Sequence, residues 1–140
     1  MEWMERLNET ICYIEEHLTK EIDYERLGQI ACCSSYHFQR MFTYMAGIPL
    51  SEYIRRRKMS LAAVDLQGKS MKIIDVAGKY GYNSPTAFNR AFQSVHGIAP
   101  SAVKNEGVSV PLNKDIEKNF YSHTHKVAGN IYKWNITDID

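Results

Sequence analysis

Apolar residues recur every three or four positions along most of the first hundred residues, and the recurrence breaks at regular places. Trp3, Leu7, Ile11, Ile14 and Leu18 form one such stripe, with Glu2, Glu5, Glu9, Glu15 and Glu16 between them. This spacing predicts an amphipathic helix with an acidic outer face from Trp3 to Leu18. Asp23 suits the N-cap of a second helix through Leu27, Ile30 and Ala31, ending near the Cys32-Cys33-Ser34 turn. A third helix carries Phe38, Met41, Phe42 and Met45 on its buried face and stops at Gly47, with Pro49 beyond. Ser51 and Glu52 open a longer helix whose inner stripe is Met59, Ala62, Ala63 and Leu66, before Gly68. A fifth helix from Ile73 to Tyr80 turns Ile73, Val76 and Ala77 inward, and Gly81-Tyr82-Asn83 leads to a sixth. The sixth has Ser84 as cap, Pro85 at the favoured first position, and Phe88, Ala91, Phe92 and Val95 buried, and it ends at Gly97, with Pro100 beyond.

Two of these segments repeat each other. SSYHFQRMFTYMAGIPLS from Ser34 matches SPTAFNRAFQSVHGIAPS from Ser84 at a constant offset of fifty, pairing Phe38 with Phe88, Arg40 with Arg90, Phe42 with Phe92 and Gly47 with Gly97. Upstream, Leu27 pairs with Val76, because the second turn is one residue longer. Helical repeat arrays need three or more copies to bury their faces, so two copies indicate paired modules. A short helix, a tight turn and a second helix make a helix-turn-helix, whose second helix enters the major groove of DNA. With the phenylalanine stripes inside, the third helix presents Ser35, Tyr36, Gln39, Arg40 and Thr43, and the sixth presents Thr86, Asn89, Arg90 and Gln93. Arginine can pair bidentately with guanine and an amide with adenine, while Tyr or a Thr methyl packs on thymine. These exposed side chains, Tyr36, Gln39, Arg40, Thr86, Asn89 and Arg90 among them, are therefore of the kinds that base edges require. Ser34, Ser35, Thr43, Arg55, Arg56, Ser84 and Gln93 are the candidate phosphate contacts, with backbone amides at both helix starts beside them. The run Arg55-Arg56-Arg57-Lys58 spreads around its helix, so Arg57 or Lys58 is expected to pack its stem along the core.

Charge changes the picture only when it is localised. The formal net charge is +1, but residues 1–33 hold three basic and eight acidic groups, whereas residues 34–104 hold ten basic and three acidic. Positive charge thus gathers on the repeated part, as a phosphate backbone requires. With 44% hydrophobic residues in a chain of 140, one cored domain is expected. No apolar run is long enough for a membrane span, and the acidic start is unlike a signal peptide, so the expected location is cytoplasmic. Cys12, Cys32 and Cys33 are odd in number and include an adjacent pair, so they read as reduced thiols. They form no zinc pattern with His17 or His37, and no cofactor or metal is expected. An enzyme is disfavoured, since neither a phosphate-cradling glycine loop nor paired carboxylates occur, and Cys33 with His37 is the sole thinkable nucleophile pair. The alternative reading is a helical module of this fold that contacts protein and does not read DNA.

These residues resemble the AraC/XylS family of bacterial transcription regulators. The resemblance covers about residues 3 to 104. It rests on Ser35-Tyr36-His37-Phe38-Gln39-Arg40-Met41-Phe42, on Tyr53-Ile54 with Arg57-Lys58-Met59, and on Ile74-Asp75-Val76-Ala77 through Gly81-Tyr82, Phe88-Asn89-Arg90-Ala91-Phe92, Gly97 and Pro100. It implies base reading by Tyr36, Gln39 and Arg40 on the third helix and by Thr86, Asn89 and Arg90 on the sixth, and recruitment of RNA polymerase, usually as an activator. Three departures stand out: Gly28 where alanine is common, Cys32 where the first turn often has glycine, and Val103 at the last helix where an aromatic is frequent. Pro85 and Ala87 also remove polar contacts from the start of the second reader, so it is expected to read fewer bases than the first.

The expected fold is all-α: two helix-turn-helix subdomains joined by a long linker helix, followed by a short C-terminal tail of some β character. Residues 1–104 form the DNA-binding domain, with reading helices at about 35–46 and 85–96, and residues 105–140 form the tail. Within the tail, 107–112 and 130–136 show strand character, and His123 and His125 read as surface histidines rather than metal ligands. Thirty-six residues are too few for a ligand-sensing domain of usual size, so no small-molecule effector is expected to bind this chain. The tail is read as the stub of a longer effector domain, a small hairpin or an oligomerisation arm.

Overall fold

The computed structural model describes residues 3–68 and 70–105; the strand character expected in the tail, and His123 and His125, lie outside them. The described residues form seven helices and no strand: α1 (Trp3–Glu16), α2 (Tyr24–Ala31), α3 (Ser35–Ala46), α4 (Leu50–Gln67), α5 (Ile73–Lys79), α6 (Pro85–His96) and α7 (Pro100–Asn105). They divide into two compact units, residues 3–17 with 22–53 and residues 18–21 with 54–105, so α4 begins in the first and continues in the second.

In the first unit α1 packs on α2 and α2 on α3. Leu7, Ile11 and Ile14 of α1 are buried, as are Leu27 and Ala31 of α2, Phe38, Phe42 and Ala46 of α3, and Leu50 and Tyr53 of α4. Each large apolar side chain so buried contributes roughly 1.5–3 kcal/mol. Three details differ from the sequence reading. The first helix stops at Glu16, short of Leu18, although Leu18 is buried. Met41 and Met45 are only half-buried, because the centre of the buried face runs along Phe38, Phe42 and Ala46 and leaves the methionines at its edge. The long helix starts at Leu50 rather than Ser51, and the Pro49 carbonyl accepts from the amides of Glu52 and Tyr53, both at 3.1 Å.

In the second unit Met59, Ala62, Ala63 and Leu66 of α4 share a core with Val76, Ala77, Tyr80, Phe88, Ala91, Phe92, Val95 and Val103. Asp65 ties α4 to α5, accepting from Tyr80 Oη at 2.7 Å and from Lys79 Nζ at 2.9 Å. Burial, followed by this hydrogen bond and the Asp65 charge, raises the Tyr80 phenol well above its ordinary value. The Val103 departure does not prevent the last helix, since α7 forms and Val103 is buried.

The turns of the two units are built alike but not equally. In both, a helix closes with a hydrogen bond from the residue after the left-handed position: Cys33 N to the Gly28 carbonyl and Tyr82 N to the Ala77 carbonyl, each 2.9 Å. The left-handed residue is Cys32 in the first (φ 60°) and Gly81 in the second (φ 86°). A side chain in that conformation costs roughly 1–2 kcal/mol, a cost that Gly81 does not carry. The first turn also lacks the residue that Asn83 supplies in the second. A Cβ on Gly28 would lie 2.7 Å from both the Cys33 carbonyl oxygen and the Ser35 nitrogen. The shorter turn therefore requires glycine at 28, whereas the longer one accommodates Ala77.

Candidate nucleic-acid interface

Helices α3 and α6 start and stop by the same devices. Ser34 Oγ accepts from His37 N at 3.0 Å and Ser84 Oγ from Ala87 N at 3.3 Å, while Gly47 and Gly97 end the helices in left-handed conformations. Each capping hydroxyl uses a lone pair on its own helix, so its O–H remains a donor for a phosphate oxygen. Burial of Phe38 and Phe42, and of Phe88 and Phe92, fixes which side of each helix faces inward and turns the other side toward solvent.

On α3, Tyr36 is 69% exposed, and the Arg40 guanidinium carbon lies 5.6 Å from the centre of its ring. This cation–π contact joins two exposed side chains on the outer face of α3. Gln39 is half-buried and its amide donates to Ser35 Oγ at 3.2 Å. Thr43 spends its O–H on the Gln39 carbonyl at 2.9 Å, so a phosphate contact there would require that bond to open. The structure adds a residue that the sequence reading omitted. Tyr44, 85% exposed, continues the row Tyr36, Arg40, Tyr44 at helical spacing. The four-residue period of that row was available in the sequence as its signal.

On α6, Thr86, Asn89, Arg90 and Gln93 are all exposed. Gln93 donates to Asn89 Oδ1 at 2.8 Å, a bond that uses the Asn89 carbonyl and not its amide N–H groups. Arg55 of α4 donates to Ser94 Oγ on α6, within the same unit. Arg55, Arg56, Arg57 and Lys58 are all half-buried, and burial pulls the Lys58 ammonium below its ordinary value. Lys58 is thus a member of the basic run whose stem lies against protein, as one of Arg57 and Lys58 was expected to do. No group of three or more metal-ligating side chains occurs among the described residues, and no helix among them is long and apolar enough to cross a membrane.

Two copies of helix, tight turn and outward-facing second helix define a double helix-turn-helix protein. A family model described as a helix-turn-helix domain matches residues 27–106. The HTH-type transcriptional activator AarP of Providencia stuartii is 37% identical over 95 residues, which span 68% of this chain and 70% of AarP. A transcriptional regulator of Chromobacterium violaceum, described as an AraC-type DNA-binding domain-containing protein, superposes with a TM-score of 0.67 at 18% identity, covering 75% of this chain and 94% of that one. The DNA-binding domain of AdpA, solved in complex with a target DNA, gives a TM-score of 0.63 at 24% identity, with 79% of this chain and 94% of that one covered. Those two likenesses are of fold. The chain belongs to the AraC/XylS family of helix-turn-helix transcription regulators.

Proposed function

We propose that this chain reads double-stranded DNA with α3 and α6, placed in successive major grooves of one duplex. The observation that carries the reading is the match between the two outward faces: an amide followed by an arginine, Gln39-Arg40 and Asn89-Arg90, at the same place on two identically capped helices. Tyr36, Gln39 and Arg40 are the readers on α3, and Thr86, Asn89 and Arg90 those on α6. Ser34, Ser35, Thr43, Ser84 and Gln93, with Arg55 and Arg56, hold phosphates. Residues 1–104 form the DNA-binding domain, and 105–140 a tail that is the stub of an effector domain or a small appendage. Activation through RNA polymerase in the cytoplasm is the role we assign to the bound protein, supported by its similarity to an activator.

The test is in-vitro selection of bound duplexes at stated salt, followed by Arg40→Ala and Arg90→Ala on the selected sequence. Each substitution should lose roughly 1–3 kcal/mol of discrimination at one base step while leaving non-specific binding nearly unchanged. Equal loss on specific and random duplexes would make these arginines phosphate contacts, and no loss on either would end the base-reading assignment.

A further inference from the structure

The turn that precedes α3 carries two adjacent thiols that DNA reading does not use. Cys32 is exposed in its left-handed conformation, and Cys33 is half-buried beside it. Both belong to the turn by their backbones, Cys32 N bonding the Gln29 carbonyl at 3.2 Å and Cys33 N the Gly28 carbonyl at 2.9 Å. The next residue, Ser34, is the cap of α3.

We propose that Cys32 and Cys33 form a chelating dithiol for trivalent arsenic, and that its occupation disables the first reading helix. Adjacent Cα atoms are about 3.8 Å apart. That is closer than the 4.4 Å or more, roughly, of ordinary disulfides, so a direct S–S bond would be strained. One arsenic atom between the sulfurs lengthens the bridge and relieves that constraint. The second thiol closes the ring intramolecularly, which gives the chelate its resistance to monothiols. The chemistry needs no oxidant. An organic arsenoxide, RAs=O, exchanges its oxygen for two sulfurs, each thiol proton leaves with that oxygen as one water, and arsenic stays trivalent. Arsenous acid, As(OH)3, reacts likewise, losing two hydroxyls as two waters and keeping the third. Burial, with Cys32 adding to it, raises the Cys33 thiol above its ordinary value. A thiol so held is a poor nucleophile toward peroxides, and in its reaction with arsenic it gives up its proton as the As–S bond forms. Because Gly28 leaves no space behind the turn, a bridge that moves Cys33 must shift its carbonyl or the Ser35 amide, and with them the start of α3.

The loss of DNA affinity rests on base reading by α3, while the adduct itself does not. The full chain is treated with phenylarsine oxide, and separately with sodium arsenite, in excess glutathione. With phenylarsine oxide, the expected mass gain is one reagent less one water per chain. It should be removed by 2,3-dimercaptopropanol, absent from Cys32→Ser and from Cys33→Ser, and retained in Cys12→Ser. Affinity for a duplex selected by the untreated protein should fall at least tenfold on treatment and return with the dithiol. A missing adduct, or one that survives in either single serine variant, overturns the site whatever the duplex measurement gives. An adduct that leaves duplex affinity unchanged overturns its coupling to α3.

Discussion

The first and second modules share a plan, and the places where they differ show how a duplicated unit keeps its fold while its sequence diverges. Ala46 and Tyr53 in the first occupy the places of His96 and Val103 in the second, at the same offset of fifty. All four are buried. In the first, Phe42 packs on Tyr53 with ring centres 5.4 Å apart, and in the second Phe92 packs on His96 at 4.5 Å. One module therefore carries its second ring on the following helix beside a small alanine, and the other carries it on the reading helix beside a smaller valine. Close-packed interiors tolerate such exchanges when total volume is kept. The imidazole Nε2 lies 2.8 Å from the Met59 carbonyl, which gives the buried histidine a polar partner. The turns follow the same logic, since the missing residue in the first is matched by the missing Cβ at Gly28.

Gly28→Ala should have the largest effect of the changes that break this comparison. We expect it to cost about 3 kcal/mol by overpacking against backbone that has no room to yield. Ala77→Gly, its mirror, should cost only about 1 kcal/mol through helix propensity. Urea unfolding of the full-length variants measures both. Inserting one asparagine after Cys33, to copy the second turn, should recover most of the Gly28→Ala loss; failure to recover it would mean that turn length is not what requires the glycine.

Val103→Tyr should come next, costing about 2 kcal/mol because His96 already fills the space an aromatic would take. Combining it with His96→Ala, which restores the first module's arrangement, should cost less than the sum of the single changes. A double-mutant cycle with no coupling would refute the exchange of ring positions. The smallest effect is a gain. Cys32→Gly should stabilise by roughly 0.5–1 kcal/mol, the relief of the left-handed conformation reduced by the extra freedom of an unfolded glycine. Gly81→Cys should lose a similar amount, read from the shift in thermal midpoint.

Most of this was legible in the chain. Six helices, their caps at Asp23, Ser34 and Ser84, and their ends at Gly47 and Gly97 follow from periodicity and cap chemistry, and the structure has them. The outward face of α6 was legible in full, since Thr86, Asn89, Arg90 and Gln93 lie opposite the buried stripe. On α3 the reading was coarser. Gln39 proved half-buried and Tyr44 was passed over, because a wheel assigns faces but does not say how wide the buried face is. Cys32, Gly28 and Val103 were visible as departures from a family pattern, yet their consequences were not.

What the sequence determined by itself was therefore everything carried by local spacing: the helices, the doubled helix-turn-helix, the concentration of positive charge, and the candidate readers. Such features depend on a residue and its neighbours three or four positions away. Only the tertiary structure decided why Gly28 has no side chain, why Cys32 takes a glycine's conformation, and how His96 and Val103 fill one volume as Ala46 and Tyr53 fill another. Those outcomes depend on distances between atoms that a turn brings back onto its own helix or that two packed helices bring together, where a few tenths of an ångström decide whether a side chain fits.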